Sequence, residues 1–127
     1  MVARVQDAGL ANITAALVAA SVIKYLQWGT GSGAAKTANV VTTTSTTEAR
    51  TTGTPSAVTT TVTNDTLQVT GTITAAGTRA ITEVGVFDAA GTGSPPTGGN
   101  MDVYGDFSVV NLASGDSIAF TVKVQFS

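Results

Sequence analysis

The sequence predicts a mostly β protein: an antiparallel β-sandwich, jelly-roll-like, with one short N-terminal α-helix. Three observations carry this. From residue 57 to the end, at least six short runs of alternating apolar and polar residues are separated by Gly, Asn, Asp and Pro turn signals. No helical pattern recurs between them, which excludes the strand–helix alternation of a parallel α/β sheet. Threonine, β-branched and suited to strands, supplies 24 of the 127 residues. A chain of this length holds one domain, residues 1–127, around one core.

The elements follow in order. Asp7 can cap a helix over about residues 8–20, in which Leu10, Ile13, Leu17 and Ala20 recur at helical spacing and alanines at 11, 15, 16 and 19 raise propensity. The polar breaks at Gln6, Asp7, Asn12 and Thr14 depart from a signal-peptide pattern, and no run approaches the ~18 apolar residues of a membrane span. Residues 22–28, Val-Ile-Lys-Tyr-Leu-Gln-Trp, read as a strand that stops at the glycine loop Gly29-Thr30-Gly31-Ser32-Gly33. That loop lacks the GxGxxG spacing, a Walker lysine and a following helix start, so it reads as a turn and not as a phosphate cradle.

Residues 36–56 are rich in threonine. They read as an extended arm or edge strand, able to lie on a neighbour and add main-chain hydrogen bonds. Residues 57–127 are expected to form the sandwich core. Val58, Thr60 and Val62 lead to a turn at Asn64-Asp65; Leu67, Val69, Gly71 and Ile73 alternate to a break at Ala75-Ala76-Gly77. Ile81, Glu83, Gly85 and Phe87 oppose Val84 and Val86, and a loop with Pro95 and Pro96 spans 89–100. Met101, Val103, Phe107 and Val109 precede a turn at Ser114-Gly115-Asp116. The last strand sets Ile118, Phe120, Val122, Val124 and Phe126 against Thr121, Lys123 and Gln125.

Composition narrows the chemistry. There is no cysteine and no histidine, which removes disulfides, thiol nucleophiles and the commonest general base and metal ligand. Charged residues are 11% of the chain, the net charge is −2 and the pI is about 4.7, so no electrostatic footprint for nucleic acid exists. Such a weakly charged, Thr-rich surface suits a protein docked against other protein; an extracellular β domain is the alternative. No catalytic residue, cofactor or metal is assigned.

Four chemical readings compete with structural ones. A glycosidase needs two carboxylates on one cleft. Asp102 and Asp106, four apart on one strand, lie about 13 Å apart, too far for that role without a partner from elsewhere. Glu83 could serve as a buried, pKa-shifted acid, but a structural carboxylate bonded to Arg79, Lys24 or backbone outweighs that reading. Asp88, Asp102 and Asp106 could hold calcium, although no spaced-acid loop is present. Trp28, Tyr25 and Tyr104 could stack a sugar, with Trp28 as a core anchor the competing reading. Basic residues are scattered singly, as on a solvated surface.

Three segments taken together resemble a widespread family of small tailed-bacteriophage virion proteins. They are Asp7 to Leu10 at the helix start; Lys24-Tyr25-Leu26-Gln27-Trp28-Gly29-Thr30-Gly31; and Ile81 to Asp88 combined with Gly105-Asp106-Phe107 and Gly115-Asp116-Ser117. The resemblance implies a virion role, as a capsid decoration (cement) or a tail-fibre-associated protein. A compact sandwich with an amphipathic helix and an extended Thr-rich arm, and with no shaft or coiled-coil trimeriser, suits a non-enzymatic decoration protein on the outer capsid surface, in multiple copies or as a homo-oligomer. Its partner would be the major capsid protein, with neither nucleic acid nor membrane involved. A tail-tip or tail-fibre module binding host surface carbohydrate is the alternative. Candidate contacts are the helix face at Leu10, Ile13 and Leu17; Val40, Val41, Thr43 and Arg50 on the arm; and Pro95 and Pro96 on the loop. Trp28, Glu83, Phe87, Phe107 and Phe120 are the candidate structural residues.

Overall fold

A computed structural model describes residues 1–41 and 46–127 and shows the expected sandwich. One helix, α1 (Asp7–Ala20), precedes seven strands: β1 (Tyr25–Gly29), β2 (Thr51–Thr52), β3 (Thr54–Val58), β4 (Thr66–Thr74), β5 (Arg79–Phe87), β6 (Met101–Leu112) and β7 (Ser117–Gln125). They form two antiparallel sheets, ordered β2-β1-β5-β6 and β3-β4-β7. The chain changes sheets at Gly53, between β2 and β3. A Cβ there would sit 2.9 Å from both the Lys24 and Thr70 carbonyl oxygens, so only glycine lets the two sheets approach at this corner.

Alternation decides what lies between the sheets. Leu26 and Trp28 of β1 face inward with Val84 and Val86 of β5, against Leu67, Val69 and Ile73 of β4 and Phe120 of β7. Trp28 meets Phe120 edge to face at 6.5 Å, and Phe107 tilts against Phe120 at 6.1 Å. Such pairs add about 0.5–1.5 kcal/mol each beyond the area they bury. The core therefore includes β1, so the boundary expected at residue 57 is too late: β1 is an inner strand between β2 and β5.

The helix keeps its expected extent but not its expected face or cap. Gln6 is the N-cap and makes no side-chain bond, while Asp7 lies in the first turn, where the helix dipole favours a carboxylate. Leu10 and Thr14 are buried, with Leu17 and Val18 against the core, whereas Ile13 is exposed. The inward stripe runs through Thr14 because its hydroxyl returns a hydrogen bond to the Leu10 carbonyl at 3.2 Å and so can be buried satisfied. Ser21 closes the helix in the left-handed region, its N–H bonded to the Leu17 carbonyl.

The described part of residues 36–56 is not an arm reaching off the domain, while the edge-strand reading holds at its end, where β2 and β3 are edge strands of the two sheets. Val41, Thr46 and Arg50 are buried, Thr51–Thr52 pairs with β1, and β3 begins at Thr54. The cause lies beneath them. On the outer face of the first sheet, Gln27, Glu83, Gly85 and Phe87 are all buried, and a face that buries a phenylalanine ring beside two polar side chains requires a cover that also supplies hydrogen-bond partners. Thr43 lies outside the described residues.

Candidate functional site

Most carboxylates of this charge-poor chain hold loops. Six of its eight acidic side chains accept a backbone N–H: Glu48 from Ala76, Asp65 from Thr60, Glu83 from Gly31, Asp88 from Asn100, Asp106 from Gly33 and Asp116 from Ala113. A carboxylate bound this way is favoured in its ionised form and closes a turn that local propensity would leave open.

The glycine loop shows this most fully. Glu83 on β5 is fully buried; it accepts from Gly31 N–H at 3.1 Å and from the Tyr104 hydroxyl at 2.8 Å. Its cross-strand neighbour Asp106 takes Gly33 N–H at 3.0 Å, and the Thr82 hydroxyl donates to the Gly31 carbonyl. Gly29 pairs with Glu83 on β5, and a Cβ at 29 would lie 2.2 Å from a Glu83 carboxylate oxygen. The glycine thus opens the passage through which the carboxylate reaches the loop. The backbone partner expected for Glu83 is present. The expected Arg79 is not, because Arg79 pairs with Glu48 at 3.0 Å, and Lys24 instead donates to the Ser21 hydroxyl. A catalytic acid at Glu83 is disfavoured, since both its oxygens are engaged and the neighbouring Asp106 is itself bonded to backbone.

Two further hubs go beyond the sequence pattern, which marks Asn64-Asp65 as a turn and gives Glu48 no role. Asp65 collects the N–H groups of Thr60, Thr61 and Val62 at 2.9, 3.1 and 3.0 Å, and adds the Gln125 side-chain amide at 2.9 Å. Burial pushes its carboxyl up, but the N–H groups of Val62 and Thr60, the Gln125 amide and Thr61 N–H outweigh that and hold it far below the usual carboxylate range. Glu48 joins Arg79, Ala76 N–H and Trp28 Nε1–H, tying the cover to the core tryptophan. Burial raises its pKa, while the Ala76 and Glu48 backbone N–H groups, Trp28 and Arg79 lower it further, for a net fall.

Arg50 is the clasp of the cover. Its guanidinium lies 3.6 Å over the Phe87 ring, and its Nε donates to the Gln27 side-chain oxygen at 2.9 Å. Its Nη1 donates to the carbonyls of Ala89 and Gly98, both at 2.8 Å, holding the base of the 89–100 hairpin. Burial lowers its pKa against the opposing field of Asp88. Gln27 Nε2 donates to the Pro96 carbonyl at 3.2 Å.

The candidate contact surface is revised accordingly. Leu10, Val41, Arg50 and Pro96 are buried and present no surface; Leu17 and Pro95 are half-buried; Ile13 and Val40 stay exposed. Of the candidate structural residues, Trp28, Glu83, Phe87 and Phe120 are buried and Phe107 packs half-buried against Phe120. The sugar platform fails. Trp28 is 1% exposed on the core face of β1, whereas Tyr25 and Tyr104 belong to the opposite face of that sheet. The calcium reading fails as well: among the described residues no three acidic side chains gather as a metal site. Asp88 instead binds Asn100 through both its oxygens.

Concavities among the described residues include a cleft and a groove. A cleft of about 380 Å³ lies between residues 34–38 and the start of β6, with Lys36 and Asp102 on its wall. Burial, helped by Asp88, raises the Asp102 carboxyl above its ordinary value. A groove of about 370 Å³ opens between β6 and β7, lined by Val84, Phe107, Val110, Ile118, Phe120 and Val122. Among the described residues no strand pairs with the outer edge of either β6 or β7, and Val110 on the groove wall is 38% exposed. No protein family, no curated protein and no solved structure matches the chain.

Proposed function

We propose that this protein is a non-enzymatic structural component of a phage virion, a capsid decoration protein that covers and stabilises the outer shell. One observation carries the reading furthest: the apolar β6–β7 side, with two unpaired strand edges in a molecule that has few charges to protect them. Soluble domains blunt such edges with charge or cover them, and a lattice of protein supplies a cover. The carboxylates support a non-catalytic role, because six of eight are engaged by backbone amides that hold the sandwich rigid. A rigid body with an apolar side resists shell expansion through buried area and added strand pairing. The contacts toward the major capsid protein are then Ile13, Val40 and the β6–β7 side, not the buried Val41 and Arg50.

Copy number per purified virion, by quantitative mass spectrometry against the major capsid protein, tests this. A ratio of one per capsid subunit, or a simple fraction of it, is expected. A handful of copies moves the protein to the tail or a vertex, and absence from particles overturns any virion role.

A further inference from the structure

The same groove has an occupant of matching chemistry within the chain itself. We propose that residues 1–6 of one copy add as a strand in the β6–β7 groove of a second copy, so that the protein associates head to tail. The segment is Met-Val-Ala-Arg-Val-Gln, without regular structure, and Met1 and Val2 are fully exposed while Val5 is 48% exposed. In an extended strand Met1, Ala3 and Val5 share one face and Val2, Arg4 and Gln6 the other. The receiving strand is divided in the same way: Phe107 and Val110 of β6 face the groove, while Asp106 belongs to the opposite face of its sheet. Docked beside β6, the segment sends Met1, Ala3 and Val5 into the apolar groove and sets Arg4 on the face that carries Asp106. Its backbone supplies hydrogen-bond partners to the unpaired edge.

The root of the segment lies away from the β7 edge, which favours a donor in another copy. The segment leads into α1, which packs on β3 and β4, whereas β7 is the opposite edge of that sheet. Donor segment and receiving groove are different surfaces, so the interface is heterologous and closes into a ring or continues as a chain. Where a second copy fills the groove, the contacts left for a capsid shell are Ile13, Val40 and the outer edge of β7, so the two proposals compete for the groove and are tested separately.

The test uses the full chain and two folded variants in sedimentation velocity, with far-UV circular dichroism as the check of fold. The arm variant carries Val2→Asp and Arg4→Asp, both at exposed positions. The groove variant carries Val110→Asp at the rim. Wild-type protein is expected to associate with rising concentration, each variant alone to associate at least about tenfold more weakly, and an equimolar mixture to form heterodimers that grow no further. Complementation follows because one variant keeps an intact groove and the other an intact arm. Wild-type protein that stays monomeric to about 1 mM, where even millimolar affinity would register, overturns the proposal. So does an arm variant that associates like wild type, which marks a symmetric edge-to-edge pairing. A mixture of folded variants that remains monomeric overturns it too.

Discussion

At the residue scale, the protein uses single carboxylates where other domains use longer stretches of regular structure. Glu83 is the clearest case, because its reach to Gly31 depends on the missing Cβ at Gly29. Gly29→Ala should destabilise by about 1–3 kcal/mol, the usual cost of overpacking. Glu83→Ala should cost a similar amount by stranding the Gly31 N–H and the Tyr104 hydroxyl. Glu83→Gln should cost less, since its amide oxygen can accept from Gly31 while its NH2 donates to the rotatable tyrosine hydroxyl. Urea unfolding of the four proteins checks the order, and the Gly29→Ala, Glu83→Ala double variant should be less destabilised than the sum. Strict additivity would mean that the two positions do not act on one another.

The depressed carboxylates add a pH dependence of definite sign. Asp65, Glu48 and Asp88 are all held below their unfolded values. Their contribution is complete above the unfolded pKa of about 4 and is lost as pH falls toward the folded values. Stability should therefore drop steeply below about pH 4. Asp65→Asn should lower the urea midpoint at pH 7 and flatten this acid limb, because the group that must be protonated is gone. Parallel acid limbs for variant and wild type would remove Asp65 from the account. Asp102 has the reverse sign, its carboxyl being raised by burial and Asp88, so Asp102→Asn should raise the midpoint slightly at neutral pH and not at pH 3.

At the scale of elements, strands were legible and their cover was not. Alternation in Leu67–Ile73 and in Ile118–Phe126 gives β4 and β7 their inward faces, and the β-branched run before Gly29 gives β1. The helix extent was legible too, but an apolar spacing rule could not see that a threonine bonded to its own backbone would displace Ile13 from the buried stripe. The cover was illegible for a different reason. Arg50 is held by Gln27, Phe87, Ala89 and Gly98, which lie 23 to 48 residues away, and nothing local marks an arginine for burial. The glycine loop was recognised as a turn, but the two carboxylates that close it lie more than 50 residues further along.

This division predicts how the elements open. Arg50→Lys loses the planar stack on Phe87 and the fork that spans Gln27, Ala89 and Gly98, and should destabilise by about 2–4 kcal/mol. The more telling readout is hydrogen exchange. Amides of the 89–100 hairpin should exchange faster in the variant, while those of β4 and β7, which Arg50 does not touch, should change only as far as global stability falls. Uniform acceleration across both sheets would show that the cover and the sandwich open as one unit.

At the scale of the whole molecule, Trp28 makes the cooperativity of the sandwich measurable. It is the single tryptophan, 1% exposed, packed on Phe120 of the second sheet and bonded through its indole N–H to Glu48 of the cover. Leu26 and Trp28 of the first sheet and Leu67, Val69 and Phe120 of the second belong to one core cluster, so neither sheet can keep its inner face dry without the other. A small domain built this way should unfold in one step. Fluorescence from Trp28 and far-UV circular dichroism from all strands should give the same urea midpoint and the same slope. The groove between β6 and β7 is a place where this coupling is weak, because there the sheets part and the apolar side chains face solvent. If β6 frayed there independently, circular dichroism would begin to change at lower urea than fluorescence, and Val110→Asp would widen the gap. Coincident curves in both proteins would mean instead that Phe107 against Phe120 suffices to hold the open side to the core.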